Sequence, residues 1–155
     1  MDEEEFTRLF GIYRLSVYRI AYCQLRNAAD AEDVTQEVFL KLYTSPPRYA
    51  DDAQAKAWLI RVAINRCRDL QRSRRYRQYE ELSEELAASA PEEERLLAVI
   101  GQLKPKLRCV MFMYYYEEYS VKEIAALLKV TQSAVTTRLM RGRTELRALL
   151  EKEGL

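Results

Sequence analysis

The chain contains no histidine. Without imidazole there is no His-based catalytic triad, no histidine general base near neutrality, and few routes to a zinc site. Cysteine is sparse: Cys23, Cys67 and Cys109 are an odd number, widely spaced and set in apolar stretches. That is no disulfide framework, and reduced core thiols are the expectation. Glycine and proline number only four each, and the two-residue alternation that marks strands is nearly missing. There is no Walker-type phosphate loop and no cluster of metal-ligand residue types. No apolar run approaches the roughly 20 residues of a membrane helix, and residues 1–5 are acidic rather than signal-like. These absences predict an all-α, cytoplasmic protein that does not insert into a membrane. They also predict that it is not an enzyme and needs no cofactor or metal.

What is present is charge arranged in blocks. The 155 residues are 48% hydrophobic and carry a net charge of +1, enough for one domain or two small ones. Residues 1–47 hold 5 Lys/Arg and 8 Asp/Glu, residues 48–79 hold 9 and 3, residues 80–95 hold 1 and 7, and residues 96–155 hold 10 and 6. The neutral total hides an acidic, basic, acidic, basic pattern, and such asymmetry carries information about partners. Apolar spacing predicts a first helix from about residue 6 to 26, bearing Leu9, Phe10, Tyr13, Val17, Ile20 and Ala21. A second helix runs to about Tyr43, with Val34, Val38, Phe39 and Leu42, and Ser45-Pro46-Pro47 ends it. A loop to about Gln54 leads into a third, whose apolar side reads Trp58, Leu59, Val62, Ala63, Cys67 and Leu70. Residues 78–91 are acidic and poor in large apolar residues, and read as a flexible linker. Two small helical domains, 1–77 and 92–155, flank it. The second starts with a short helix carrying Leu96, Leu97, Ile100 and Leu103. Pro105 opens the next, with Leu107, Val110, Met111 and Tyr114.

Two segments carry nucleic-acid chemistry. Between Arg61 and Arg77 stand seven arginines against one acid, Asp69. Arg61, Asn65, Arg68 and Arg72 step by three or four residues along the polar side of the third helix. Guanidiniums and an amide on a packed helix suit a phosphate backbone and exposed bases. A solvated face is the plainer alternative, and Asp69 reads as orienting a neighbouring arginine. Trp58 reads as core, with stacking on DNA as the other reading. Farther along, Ser120-x-x-Glu123 is a capping box, Ile124, Ala125 and Leu128 form a buried side, and Thr131 caps a second helix that packs back through Val135 and Leu139. This is the helix-turn-helix pattern, whose second helix enters the major groove. Its outward residues are Gln132, Ser133, Thr136, Thr137, Arg138, Arg141 and Arg143. A plain helical hairpin is the alternative. The turn commonly uses glycine in a left-handed conformation. Lys129 stands near that point, so either the turn adjusts or the lysine takes the strain. The cluster Tyr114, Tyr115, Tyr116 and Tyr119 reads as half-buried packing with hydroxyls at the surface, with binding of a partner protein as the alternative.

Three stretches in order (DAEDVTQEVFLKLY at 30–43, AWLIRVAINRCRD at 57–69, and the helix-turn-helix at 120–143) resemble bacterial sigma factors of the sigma-70 family. Size and two-module layout are similar to the extracytoplasmic-function (ECF) group. The resemblance implies a specificity subunit of transcription initiation. Its partners would be core RNA polymerase, at the beta-prime clamp helices and the beta flap, promoter DNA both duplex and melted, and an anti-sigma factor. It implies that Asp33, Gln36 and Glu37 dock on the clamp helices, and that the 45–56 loop with Arg61, Asn65, Arg68 and Arg72 reads and melts the −10 element. The 120–143 unit would bind the −35 element. The alternative is a free-standing helix-turn-helix regulator acting without polymerase.

Overall fold

The computed structural model describes residues 1–73 and 92–152. The expected linker at 78–91 lies outside them, as do Arg74, Arg75, Arg77 and the side chain of Leu97. The described residues are helical, with no strand among them. They fall into two compact units, one holding residues 1–73 and the other residues 92–152.

The first unit is three helices. α1 (Glu3–Leu25) begins at Asp2, whose carboxylate accepts from the Glu4 N–H. It ends at Arg26, which turns left-handed with φ 54°. α2 (Ala28–Thr44) is capped by Asn27, which accepts from the Asp30 N–H at 3.0 Å. It stops at Ser45, ahead of the two prolines. α3 (Asp52–Gln71) starts at Asp51, which accepts from the Gln54 N–H at 2.9 Å. α1 packs on both of the others, and α2 packs on α3. An aromatic cluster joins α1 to α2: Phe10 meets Phe39 edge-on at 5.0 Å, and Phe6 meets Tyr43 at 5.2 Å.

The buried stripe of α3 differs from expectation. Ala55, Leu59, Ile60, Ala63, Ile64 and Cys67 are buried, whereas Trp58, Val62 and Leu70 are half-buried. The helix offers apolar residues on two adjoining stripes. Ile60 and Ile64 are taken into the core, and the larger indole is left half-buried. Charged groups tie the bundle at one end. The Arg8 guanidinium donates to both Asp52 oxygens, at 2.8 and 2.9 Å, and to Glu5 at 2.6 Å. The Tyr49 hydroxyl donates to Glu5 at 3.0 Å.

The second unit is built around α5 (Pro105–Tyr115), in which Leu107, Arg108, Cys109, Val110, Met111, Phe112 and Met113 are all buried. Against it pack α4 (Glu92–Gly101), α6 (Val121–Leu128) and α7 (Gln132–Lys152). Fully burying a side chain such as Phe112 or Met111 contributes about 1.5–3 kcal/mol, so this one helix supplies much of the core. Arg108 is buried within it and donates to the Leu103 carbonyl at 3.1 Å and the Gly101 carbonyl at 3.4 Å. It thereby satisfies backbone acceptors at the end of α4. Leu96 and Tyr114, expected on apolar faces, are 38% and 36% exposed. α5 and α7 approach closely at Gly142: a Cβ there would lie 2.7 Å from Cγ of the buried Met111.

Candidate nucleic-acid interfaces

The turn between α6 and α7 sets the geometry of the second unit's outer face. Ser120 Oγ accepts from the Glu123 N–H at 3.1 Å, while Glu123 accepts from the Ser120 N–H at 3.0 Å, closing the capping box. Lys129 takes the left-handed conformation itself, at φ 57° and ψ 48°, so the lysine bears the strain and the turn keeps its shape. Thr131 Oγ1 then accepts from the Ala134 N–H at 3.0 Å and caps α7. Val135 and Leu139 are buried beneath.

The outward residues of α7 fall into two groups. Ser133, Thr137, Arg138 and Arg141 line a groove together with Lys104, Pro105 and Lys106 at the start of α5. Gln132, Thr136 and Arg143 are exposed on the other side of the helix. At about 100° per residue, Arg143 points roughly 140° away from Arg138. Its guanidinium lies 5.8 Å from the ring centres of both Tyr114 and Tyr115, and its Nε donates to the Tyr115 hydroxyl at 2.6 Å. Two of the tyrosines read as half-buried packing are thus exposed, Tyr115 by 48%, and hold an arginine.

In the first unit, α3 brings Arg61, Asn65, Arg68 and Arg72 onto one stripe opposite its buried side. Asn65 and Arg72 are exposed, Arg61 and Arg68 half-buried. Asp69 lies 3.9 Å from Arg72, at the outer limit of an ion pair. Trp58, one turn before Arg61, borders the same stripe. On α2, Asp33, Gln36 and Glu37 are all exposed, opposite buried Val34, Thr35, Val38 and Leu42. Leu40, one turn farther on, is 63% exposed and adds an apolar surface beside them. Glu37 accepts from Arg66 Nε at 2.6 Å, which links this acidic face to the flank of α3. Arg66, Lys104 and Lys106 are absent from the sequence-predicted sites. The Lys104-Pro105-Lys106 triplet was the available signal, and its proline reads first as a helix start.

No helix among the described residues is long and apolar enough to cross a membrane. The family model for sigma-70 region 2 matches residues 9–77, and that for sigma-70 region 4 matches residues 93–146. The chain is 27% identical to the ECF RNA polymerase sigma factor SigW of Bacillus subtilis, over 96% of this chain and 90% of that protein. It is 32% identical to the ECF RNA polymerase sigma factor SigL of Mycobacterium tuberculosis, over 95% and 89%. Its structure is similar to that of CnrH in complex with the cytosolic domain of CnrY, with a TM-score of 0.71 and 26% identity over 97% of this chain and 90% of that one. With both sigma regions in order along one helical chain, and nearly full-length likeness to ECF sigma factors, the protein belongs to the sigma-70 family of RNA polymerase sigma factors, in its ECF group.

Proposed function

We propose that this sigma factor binds core RNA polymerase through the α2 face of residues 1–77 and divides promoter reading between two modules. α3 and the 45–56 loop act at the −10 element, and α7 of residues 92–155 acts at the −35 element, with 78–91 as the tether. The observation that carries this reading is the placement of two chemically different faces on the region 2 bundle. Asp33, Gln36 and Glu37 stand exposed on α2, and the Arg61, Asn65, Arg68 and Arg72 stripe stands on α3. Carboxylates and an amide on one helix suit arginines of a partner helix such as the beta-prime clamp. A cationic stripe with an amide suits melted DNA, whose backbone it neutralises while bases are held elsewhere.

The chemistry requires no bond making. Melting costs a few kcal/mol for an extruded base, and capture of that base with the backbone held by arginines offsets it. Polymerase, gripping α2 and reaching the second module through its beta flap, makes the −35 contact effectively intramolecular. CnrH is bound by the cytosolic domain of CnrY in its solved complex, and an anti-sigma factor is the corresponding regulatory partner here. The site of action is the cytoplasm.

Gel filtration with bacterial core RNA polymerase tests the assignment. The protein should co-elute, and the Asp33→Ala/Gln36→Ala/Glu37→Ala variant should not. Retention of the triple variant by polymerase would move the docking surface off α2. A wild-type chain that ignores polymerase but binds a palindromic duplex as a dimer would favour the free-standing regulator.

A further inference from the structure

The groove between the start of α5 and the outer side of α7 encloses about 860 Å³. Four of its lining side chains are cationic, Lys104 and Lys106 from the start of α5 and Arg138 and Arg141 from α7, against a single acid, Glu145. None of the four cations has an ion-pair partner among the described residues. Pro105 occupies the first turn of α5 and sets the two lysines on either side of the helix start, both exposed. Hydroxyls from Ser133 and Thr137 complete the α7 wall.

A helix seated in the major groove has a phosphate strand on each side, and the element packed beside it meets backbone rather than bases. The start of α5 occupies that position, next to the α7 flank that carries Arg138 and Arg141. Opposite charge and continuity with the reading helix both favour the duplex backbone as the occupant of the groove. We infer that Lys104 and Lys106 are phosphate-binding residues that clamp the DNA strand alongside α7 and fix the angle at which α7 enters the groove. This rests on α7 being the duplex-reading helix. The lysines carry no base-edge information, so their contribution is the same for every sequence.

The distinguishing readout is salt dependence. Each neutralised phosphate contributes about 0.9 to the slope of log affinity against log salt. The 155-residue chain is titrated against a short fluorescent duplex of random sequence at several salt concentrations. Lys104→Ala/Lys106→Ala should weaken binding and flatten the slope by about 2, while Lys104→Arg/Lys106→Arg should keep the wild-type slope. Arg138→Ala/Arg141→Ala serves as the reference for α7. An unchanged slope in the lysine double-alanine variant, with the arginine variant weakened, overturns the inference and leaves the α7 reading standing. If neither pair alters binding, α7 itself is not the duplex-facing helix and both fail.

Discussion

Lys129 and Gly142 show how single residues set the shape of the second unit. An L-residue in the left-handed region is disfavoured by roughly 1–2 kcal/mol, and Lys129 sits there at φ 57°. Lys129→Gly should therefore raise the stability of the chain by about 0.5–1 kcal/mol, after allowance for the greater freedom of glycine when unfolded. Urea unfolding of the two proteins checks it, and a loss of stability would mean that the lysine side chain makes compensating contacts. Gly142 acts in the opposite sense. Any side chain there enters the space of the Met111 side chain, which is fully buried and must shift within a packed core. Gly142→Val should destabilise by about 2 kcal/mol through overpacking, read in the same unfolding assay. It should also loosen the seating of α7 on α5.

Among the elements, α1 and α3 are joined by the Arg8 network. Hydrogen bonds from Arg8 hold the Glu5 carboxyl below its ordinary value of 4.5 and the Asp52 carboxyl below 3.8. Carboxylates depressed in the folded state stabilise it above their ordinary values, and that contribution is lost as pH falls through the depressed ones. Arg8→Gln should melt below the wild type at neutral pH, and the gap should close as the pH is taken below 3.8. Both partners are solvent-exposed, so the gap will be modest. A gap independent of pH would assign the effect to lost packing of the arginine stem. The helices themselves were readable from the sequence because their ends carry explicit chemistry: Asn27, the Ser45-Pro46-Pro47 stop, and the Ser120–Glu123 box. The buried side of α3 was read with Trp58, Val62 and Leu70 in place of Ile60 and Ile64, because the helix is apolar on two adjoining stripes. Only the packing of α1 and α2 chooses between them. The Tyr115–Arg143 bond and the Lys104–Arg138 groove join residues about 30 positions apart, and no local spacing announces such pairs.

At the scale of the whole molecule, the proposed division of recognition between two modules predicts that each surface can be damaged separately. Arg138→Ala or Arg141→Ala should weaken −35 recognition by about 1–3 kcal/mol if the arginine reads a base edge, with co-elution on core polymerase intact. Promoter binding by the assembled holoenzyme measures the first and gel filtration the second. Loss of polymerase binding would refute the assignment of these arginines to DNA. The family is legible in the sequence because the stretches 30–43 and 57–69 that carry the resemblance lie on consecutive helices inside the matched region 2, where spacing along the chain translates directly into faces.

The half-buried indole of Trp58 gives the first unit a built-in optical probe. It is the sole tryptophan of the chain, and it borders the Arg61 and Asn65 stripe on α3. Its emission, excited apart from that of the tyrosines, can register the arrival of single-stranded DNA on that stripe without an added label. A change of intensity or wavelength on adding oligonucleotide would support the proposed placement of melted DNA on α3, and an unchanged emission would count against it.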